Sequence, residues 1–265
     1  MSFTRLSAIV LRQYYLIRDN PTRLAQLFVW SLLEITLWGF ISVYLADATD
    51  ARFALTFLGG IILWEFFIRV MYGVTITFFE DVWSRNFLNI FASPLSIAEY
   101  TGGMVVSSMI TTTISFIAVM LFASFVFGFS LASYGLLAFP FFFILFLSGI
   151  ALGILGVAIV LRYGPSAEWF IWPLPTIIAP FAGVFYPVSV LPAWMQAVSI
   201  ILPSTYVFDG FRAIVAGEGV TMMNLFWGAL LALLYVGLAY LVLHRVYRHA
   251  LRTGLIARYS AETVS

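Results

Sequence analysis

Few side chains in this sequence have the means to do chemistry, and their positions are unusual. Glu34, Glu65 and Arg69 sit inside stretches otherwise apolar enough to cross a bilayer. Glu65 and Arg69 are spaced i, i+4 with the acid first, the more favourable order for a helical ion pair. A charge left alone at the centre of a membrane costs roughly 2.5–3.5 kcal/mol on insertion scales, so such groups need one another or water. With two acids and one base, one glutamate is left to be protonated or hydrated. Three readings stay open: a salt bridge locking two helices, a polar patch lining a substrate path, and a proton relay. Hydrolytic chemistry finds no support, because His244 and His249 are the only histidines and no HExxH, GxSxG or clustered carboxylates occur. Cysteine is absent, so there is no disulfide framework or thiolate metal site, and no metal is expected. All 13 basic residues are arginine, whereas the phosphate-binding GxxxxGK(S/T) loop requires a lysine. The chain is therefore expected to be no enzyme, and ATP-driven work would need a second polypeptide.

The elements that place these groups are membrane spans. Of 265 residues, 63% are hydrophobic and 9% charged, against about 25% charged in an ordinary soluble domain. Lipid must be the solvent for most of this surface. About 20 mostly apolar residues cross the hydrocarbon core, and six segments qualify: 24–46, 53–79, 100–128, 134–161, 169–188 and 222–244. The first begins too far in, and lacks a cleavage site, for a removable signal peptide. The sequence thus predicts one all-α integral membrane domain over residues 1–265 with six transmembrane helices. Arginine bias sets its orientation. With both termini cytoplasmic, Arg5, Arg12, Arg18, Arg23, Arg85, Arg162, Arg245, Arg248, Arg252 and Arg258 lie inside, and Arg52 and Arg212 outside. Span one then runs outward and span two inward, which brings Glu34, Glu65 and Arg69 to similar depth.

Residues 1–20 read as an amphipathic helix in the cytoplasmic interface. Phe3, Leu6, Val10, Tyr14 and Ile17 share one stripe, with Arg5, Arg12 and Asp19 opposite. Asn20-Pro21 ends this helix. The C-terminal HRVYRHALRTGLIARYS is expected to extend the sixth helix toward anionic headgroups. Between spans two and three, EDVWSRNFLNIFASPLSIAEY predicts a short cytoplasmic helix within 80–95. Glu80 and Asp81 would open it, and Trp83, Phe87, Ile90 and Phe91 recur at near-helical spacing. Ser93-Pro94 stops it, and Ser96-Ile97-Ala98-Glu99 reads as the capping box of the next helix. Such a helix either rests on lipid or inserts its apolar face into a partner's groove.

Seven of the ten prolines lie between Pro165 and Pro203. Pro173, Pro175 and Pro180 must kink or unwind span five. After Pro187 the chain stays apolar yet breaks again at Pro192 and Pro203. Two short helices fit, near 191–202 and 204–217, with Pro192 in the first turn of one and Ser204 capping the other. Neither can cross a bilayer, so residues 187–218 are expected to dip part-way in and return. Irregular backbone at that depth survives only inside protein or beside a water-filled cavity, so the element is either a gate or a flap with no gating role. Gly149-xxx-Gly153, with Gly156 beyond, allows close helix approach within the bundle or at a dimer seam. Aromatics make up 18% of the chain, enough to line a glycan path or to form interfacial belts.

Two stretches resemble a known family. PLSIAEYTGGM at 94–104 resembles the cytoplasmic turn of ABC-2 type exporter permeases. FYPVSVLPAWMQAVSIILPSTYVFDGFR at 185–212 resembles their signature between spans five and six: an aromatic-Pro, then Leu-Pro-x-Trp, then a Pro before an acidic-Gly-x-Arg ending matched by Asp209, Gly210 and Arg212. The likeness extends over essentially the whole chain. It implies a permease subunit in the bacterial cytoplasmic (inner) membrane, working as a dimer, here expected as a homodimer. Each copy would bind a cytoplasmic ABC ATPase subunit. ATP and Mg would belong to that partner, with no cofactor in this chain, membrane lipid around it and no nucleic acid. The resemblance makes the loop after span two a coupling helix with Glu80, Asp81, Trp83, Arg85, Phe87 and Phe91. It makes the broken segment an outer gate with Pro187, Pro192, Trp194, Pro203, Asp209 and Arg212. The implied cargo is amphipathic or lipid-linked: a lipo-oligosaccharide, a glycolipid or polysaccharide, or a hydrophobic drug. The rival reading is a proton-coupled secondary transporter using Glu34, Glu65 and Arg69. Many such transporters pair broken helices in both halves, whereas here only the C-terminal half is broken.

Overall fold

The computed structural model of the chain describes residues 2–48, 51–129, 138–219 and 221–255. The expected start of the fourth span, 134–137, and Arg258 lie outside the described residues. All regular structure among the described residues is helical. Helix α1 (Phe3–Arg18) ends where Asn20-Pro21 was expected to break it. Pro21 then opens α2 (Pro21–Ala48), a position that needs no amide donor. Asn20 Oδ1 accepts from the amides of Thr22 at 3.0 Å and Arg23 at 3.3 Å, capping the new helix. Helix α3 (Ala51–Trp83) has 33 residues and is about 50 Å long. That exceeds the hydrocarbon thickness by roughly 20 Å, so part of it must stand clear of the membrane core.

The short α4 (Phe87–Ala92) leads into α5 (Ile97–Phe127). The capping box is formed as the sequence specifies. The Glu99 amide donates to Ser96 Oγ at 3.2 Å, and the Ser96 amide donates to Glu99 Oε2 at 3.0 Å. Helix α6 (Ala138–Tyr163) follows, and the last long helix is α10 (Met222–Thr253). Between them lie α7 (Leu174–Ala182), α8 (Ala193–Ile200) and α9 (Pro203–Ala216).

Five of these helices, α2, α3, α5, α6 and α10, are long and apolar enough to cross a membrane singly. The expected fifth span, 169–188, is not one helix. A 3-10 turn at Pro165–Phe170 is followed by α7, which has nine residues and ends at Gly183. Pro173 and Pro175 lack the amide protons that would join the turn to α7 in one ladder. Among the described residues, a sixth candidate span arises only if the bent pair α8–α9 is counted as one.

Helix α3 is the centre of the bundle, with α6 on one side and α5 and α2 on the other, while α10 packs along α6. Val70, Met71 and Val74 of α3 meet Ile150, Ile154 and Val157 of α6 in a buried cluster. The glycine motif lies in this seam. A Cβ at Gly149 would stand 2.8 Å from Val70 Cβ, and one at Gly153 would stand 2.8 Å from Val74 Cβ and 3.0 Å from Met71 O. The motif thus serves the chain's own bundle. Gly153→Ala should destabilise the detergent-solubilised protein by about 1–3 kcal/mol through overpacking. Gly237→Ala, on α10 with nothing within 4 Å of the new methyl, should leave the thermal midpoint unchanged or slightly raised. Equal midpoints for both variants would contradict the close α3–α6 contact.

Candidate functional site

Antiparallel α2 and α3 set the three mid-span charges side by side. Glu65, 8% exposed, accepts from Arg69 Nε at 2.9 Å and from Ser31 Oγ at 2.5 Å. Arg69 Nη1 also reaches Gln26 O at 3.4 Å. Glu34 is exposed, and Trp38 Nε1, one turn on, donates to its Oε2 at 3.1 Å. The expected patch therefore exists as one place, but Glu65 and Arg69 are paired while Glu34 faces outward.

All three line a cleft of about 700 Å³ walled by α2, α3 and the segment around Trp172–Thr176. Along α3 it runs from Glu65 to Glu80 and Trp83, roughly 22 Å of helix axis. Its third wall was not legible in the sequence. Tyr72 Oη donates to Trp172 O at 2.9 Å. Glu168, on the Pro165–Phe170 turn, accepts from Trp172 Nε1 at 3.1 Å and from Trp83 Nε1 at 2.9 Å. One carboxylate thus ties two indoles together, one of them 85 residues away in sequence.

The arginine-rich end of the cleft is built on buried charge. Glu80 and Asp81 do not open the short helix as expected; they lie in the last turn of α3, 8% and 0% exposed. Nothing in the stretch before Trp83 breaks the helix, and α1 supplies partners that let both carboxylates stay buried. Arg12 donates to Asp81 Oδ1 in a close ion pair, and Tyr100 Oη donates to Asp81 Oδ2 at 2.6 Å. Gln13 Nε2 donates to Glu80 Oε2 at 2.9 Å. Arg23 Nη1 lies 3.2 Å from Glu80 Oε1, close enough for an ion pair but not aligned as a hydrogen bond. Burial on its own would lower the Arg12 guanidinium, yet the bond and charge of Asp81 outweigh it and leave Arg12 above its ordinary value.

Glu99 plays the same part at the start of α5, accepting the Ser2 amide at 2.7 Å with Arg5 Nη1 3.5 Å away. Helix α1 therefore turns its polar face, with Arg5 and Arg12, toward the bundle, an orientation the amphipathic pattern alone did not specify. Gln13, Arg23, Glu99 and Tyr100 were not singled out as site residues, because the partners that define their roles are distant in sequence.

Helix α3 ends at Ser84-Arg85, where Arg85 adopts a left-handed φ of 54°, a conformation costly for any residue but glycine. The six-residue α4 follows. Its aromatic residues are not offered outward as expected. Phe87 is fully buried, with its ring 5.4 Å from Phe78 and 4.8 Å from Phe91. Phe91 in turn meets Tyr100 at 5.2 Å and Tyr247 at 5.0 Å. These rings fasten α4 to the bundle and leave Trp83, Arg85 and Asn89 exposed.

At the opposite end, α8 and α9 meet at 100°, close to the bounds expected for a re-entrant pair. Pro192 caps α8, and Pro203 takes the first position of α9, so Ser204 is not the expected cap but a buried first-turn residue. Carbonyls freed by broken backbone need donors at membrane depth, and side chains supply them. Pro180 O accepts from Tyr186 Oη at 3.0 Å, and Phe181 O from Ser199 Oγ at 2.6 Å. Gly183 O accepts from Arg212 Nη1 at 2.5 Å, while Arg212 Nη2 holds Asp209 Oδ1 at 2.6 Å. Ile200 O accepts from Tyr206 Oη at 2.8 Å, and Ile201 O from Tyr235 Oη at 2.7 Å. Tyr235 lies about 20 Å along the axis from the start of α10, so the exposed α8–α9 bend lies well along that helix, away from its first turn. The expected gate residues fall into two groups. Pro203, Asp209 and Arg212 belong to the anchored α9, whereas Pro187, Pro192 and Trp194 are exposed on or before α8.

The buried Asp81 gives a direct test of the arginine-rich end. Arg12→Met should cost about 3–5 kcal/mol, since it leaves an uncompensated carboxylate without water. The double variant Arg12→Met/Asp81→Leu should recover most of that loss in thermal denaturation. Equal losses in the single and double variants would contradict the pairing.

These features agree with what the sequence matches. No curated protein matches the chain, but residues 4–216, from α1 through α9, match the family described as ABC-2 type transporter. The protein belongs to the ABC-2 type transporter family and is a membrane-spanning permease component of an ABC transporter.

Proposed function

We propose that this permease exports an amphipathic or lipid-linked cargo along the α2–α3–α7 cleft, that a second copy of the chain closes the cleft, and that a cytoplasmic ABC ATPase docked on residues 84–95 drives it. The observation that carries this reading is the open, charged cleft at span depth. Glu34 and Trp30 are exposed in its wall, and a carboxylate in that position cannot face hydrocarbon cheaply. Two such clefts brought face to face enclose one polar conduit. Its indoles and aliphatic walls suit the apolar part of a lipo-oligosaccharide, a glycolipid or polysaccharide carrier, or a hydrophobic drug. Its carboxylates and arginines suit the polar part.

In this reading the arginine-rich end faces the cytoplasm of a bacterium, with both termini on the cytoplasmic side of the inner membrane. The partner binds ATP and Mg. It engages Arg85 and Asn89, while Asp81, Phe87 and Tyr100 relay the position of α4 to α1 and α3. The α8–α9 pair is the outer gate: α9 is fixed against α3, and α8 carries the exposed Trp194. The pairing of Glu65 with Arg69 and Ser31 favours a structural role for those charges over a proton relay.

Absence of native cysteine makes the dimer testable by single replacements. Trp30→Cys should form a disulfide-linked dimer in membranes and block export. Leu233→Cys, exposed on α10, should not. Cross-linking through Leu233 alone would contradict closure across the cleft. Arg85→Glu should leave the permease folded and its partner's ATP hydrolysis unresponsive to cargo, whereas Phe87→Asp should unseat α4 and lower stability. A fully responsive ATPase with Arg85→Glu/Asn89→Arg would remove the docking assignment.

A further inference from the structure

With Arg12 and Gln13 turned toward the bundle, the apolar stripe of α1 is only partly covered, with Leu6 and Val10 half-buried and Tyr14 exposed. That stripe, through Leu6, Val10 and Tyr14, roofs a groove of about 1010 Å³. The opposite wall includes Leu24 of α2 and Ile110 and Ile114 of α5. An apolar groove of this size forfeits the dispersion contacts of every unfilled wall, and apolar walls do not hold water well. Helices α2 and α5 both have the length and composition of membrane spans, so acyl chains are the apolar material at hand.

Two polar features say which lipid. Arg18 stands at the rim, exposed and without an ion pair among the described residues, and no acid lines the groove. Asp19, next in the chain, lies outside it. On the α5 wall, Ser107 Oγ is buried with no partner, although its neighbours Ser108 and Thr111 bond to Val70 O at 2.8 Å and Ser107 O at 3.0 Å.

We propose that this groove is a binding site for an anionic phospholipid. An acyl chain lies between α1 and α5, an ester carbonyl accepts from the Ser107 hydroxyl, and the headgroup phosphate pairs with Arg18. The site is separate from the transport cleft and rests on the orientation of α1, not on the exporter reading.

The test is native mass spectrometry of the permease in mild detergent, titrated with dioleoyl phosphatidylglycerol or dioleoyl phosphatidylcholine. Wild type should retain one phosphatidylglycerol per chain that Ile110→Trp, which obstructs the groove at its α5 wall, does not retain. Arg18→Gln, at an exposed unpaired position, should lower the preference for phosphatidylglycerol about fivefold. Thermal midpoints without added lipid report whether Ile110→Trp is folded; if it is not, Arg18→Gln and Ser107→Ala decide. Equal retention by wild type and folded Ile110→Trp would overturn the groove assignment. An unchanged preference in Arg18→Gln would overturn the headgroup assignment. A lipid-free wild-type dimer that Ile110→Trp dissociates would give the groove to a second copy of the chain instead.

Discussion

A carboxylate with no exposed surface must have its charge answered by the protein, and Asp81 sets that requirement for the arginine-rich end of this molecule. Burying either member alone would cost several kcal/mol, so Arg12 and Tyr100 are held wherever Asp81 is held. The consequences spread through three helices. Helix α3 continues past the membrane core to carry Asp81 and Glu80 to their partners. Helix α1 turns its polar face inward. Helix α5 begins where Glu99 can take the Ser2 amide and Tyr100 can reach Asp81. The short α4, hung between α3 and α5, is then fixed by Phe87 and Phe91 and cannot shift without disturbing the ionic pair beside it.

The other end obeys a different constraint, the need of broken backbone for donors in a place without water. Tyr186, Ser199, Tyr206, Arg212 and Tyr235 each supply one to a carbonyl at or near the breaks around α7, α8 and α9. The neutral ones are single hydrogen bonds worth about 1 kcal/mol net, and the charged Arg212 contributes roughly 1.5–3 kcal/mol, so no one of them locks the element. That contrast suits the proposed mechanism, in which the stiff, charge-locked end receives work and the more lightly tethered end opens. Between them runs the cleft, where the Glu65–Arg69 pair of α3 reaches Ser31 and Gln26 of α2 and so fastens two long helices at mid-depth, and where Glu34 remains exposed.

What the sequence made legible was local. Asn20-Pro21, the Ser96–Glu99 capping box and the proline breaks at 192 and 203 act on their immediate neighbours, so their effects could be read directly. The same holds for Glu65 and Arg69, one helical turn apart. Long-range pairings were not legible in the same way. Glu80 and Asp81 look like ordinary first-turn acids until Arg12 and Gln13 are brought beside them from 69 and 67 residues away. Phe87 and Phe91 have the spacing of a docking face, but the same spacing serves packing, and Phe78, Tyr100 and Tyr247 claim them. Residues 169–188 are apolar enough for a span, yet Pro173 and Pro175 outweigh composition. Ser204 has the right type for a cap, and Pro203 takes the place such a cap would prepare.

That a separate ATPase drives this permease is tested most directly by purifying the tagged protein from its native membranes in mild detergent and assaying the co-purified material for vanadate-sensitive ATP hydrolysis. A stoichiometric ATPase, lost when Arg85 and Asn89 are replaced, is the predicted result. A chain that purifies free of any ATPase and whose transport follows the proton gradient would contradict it and shift attention to Glu34.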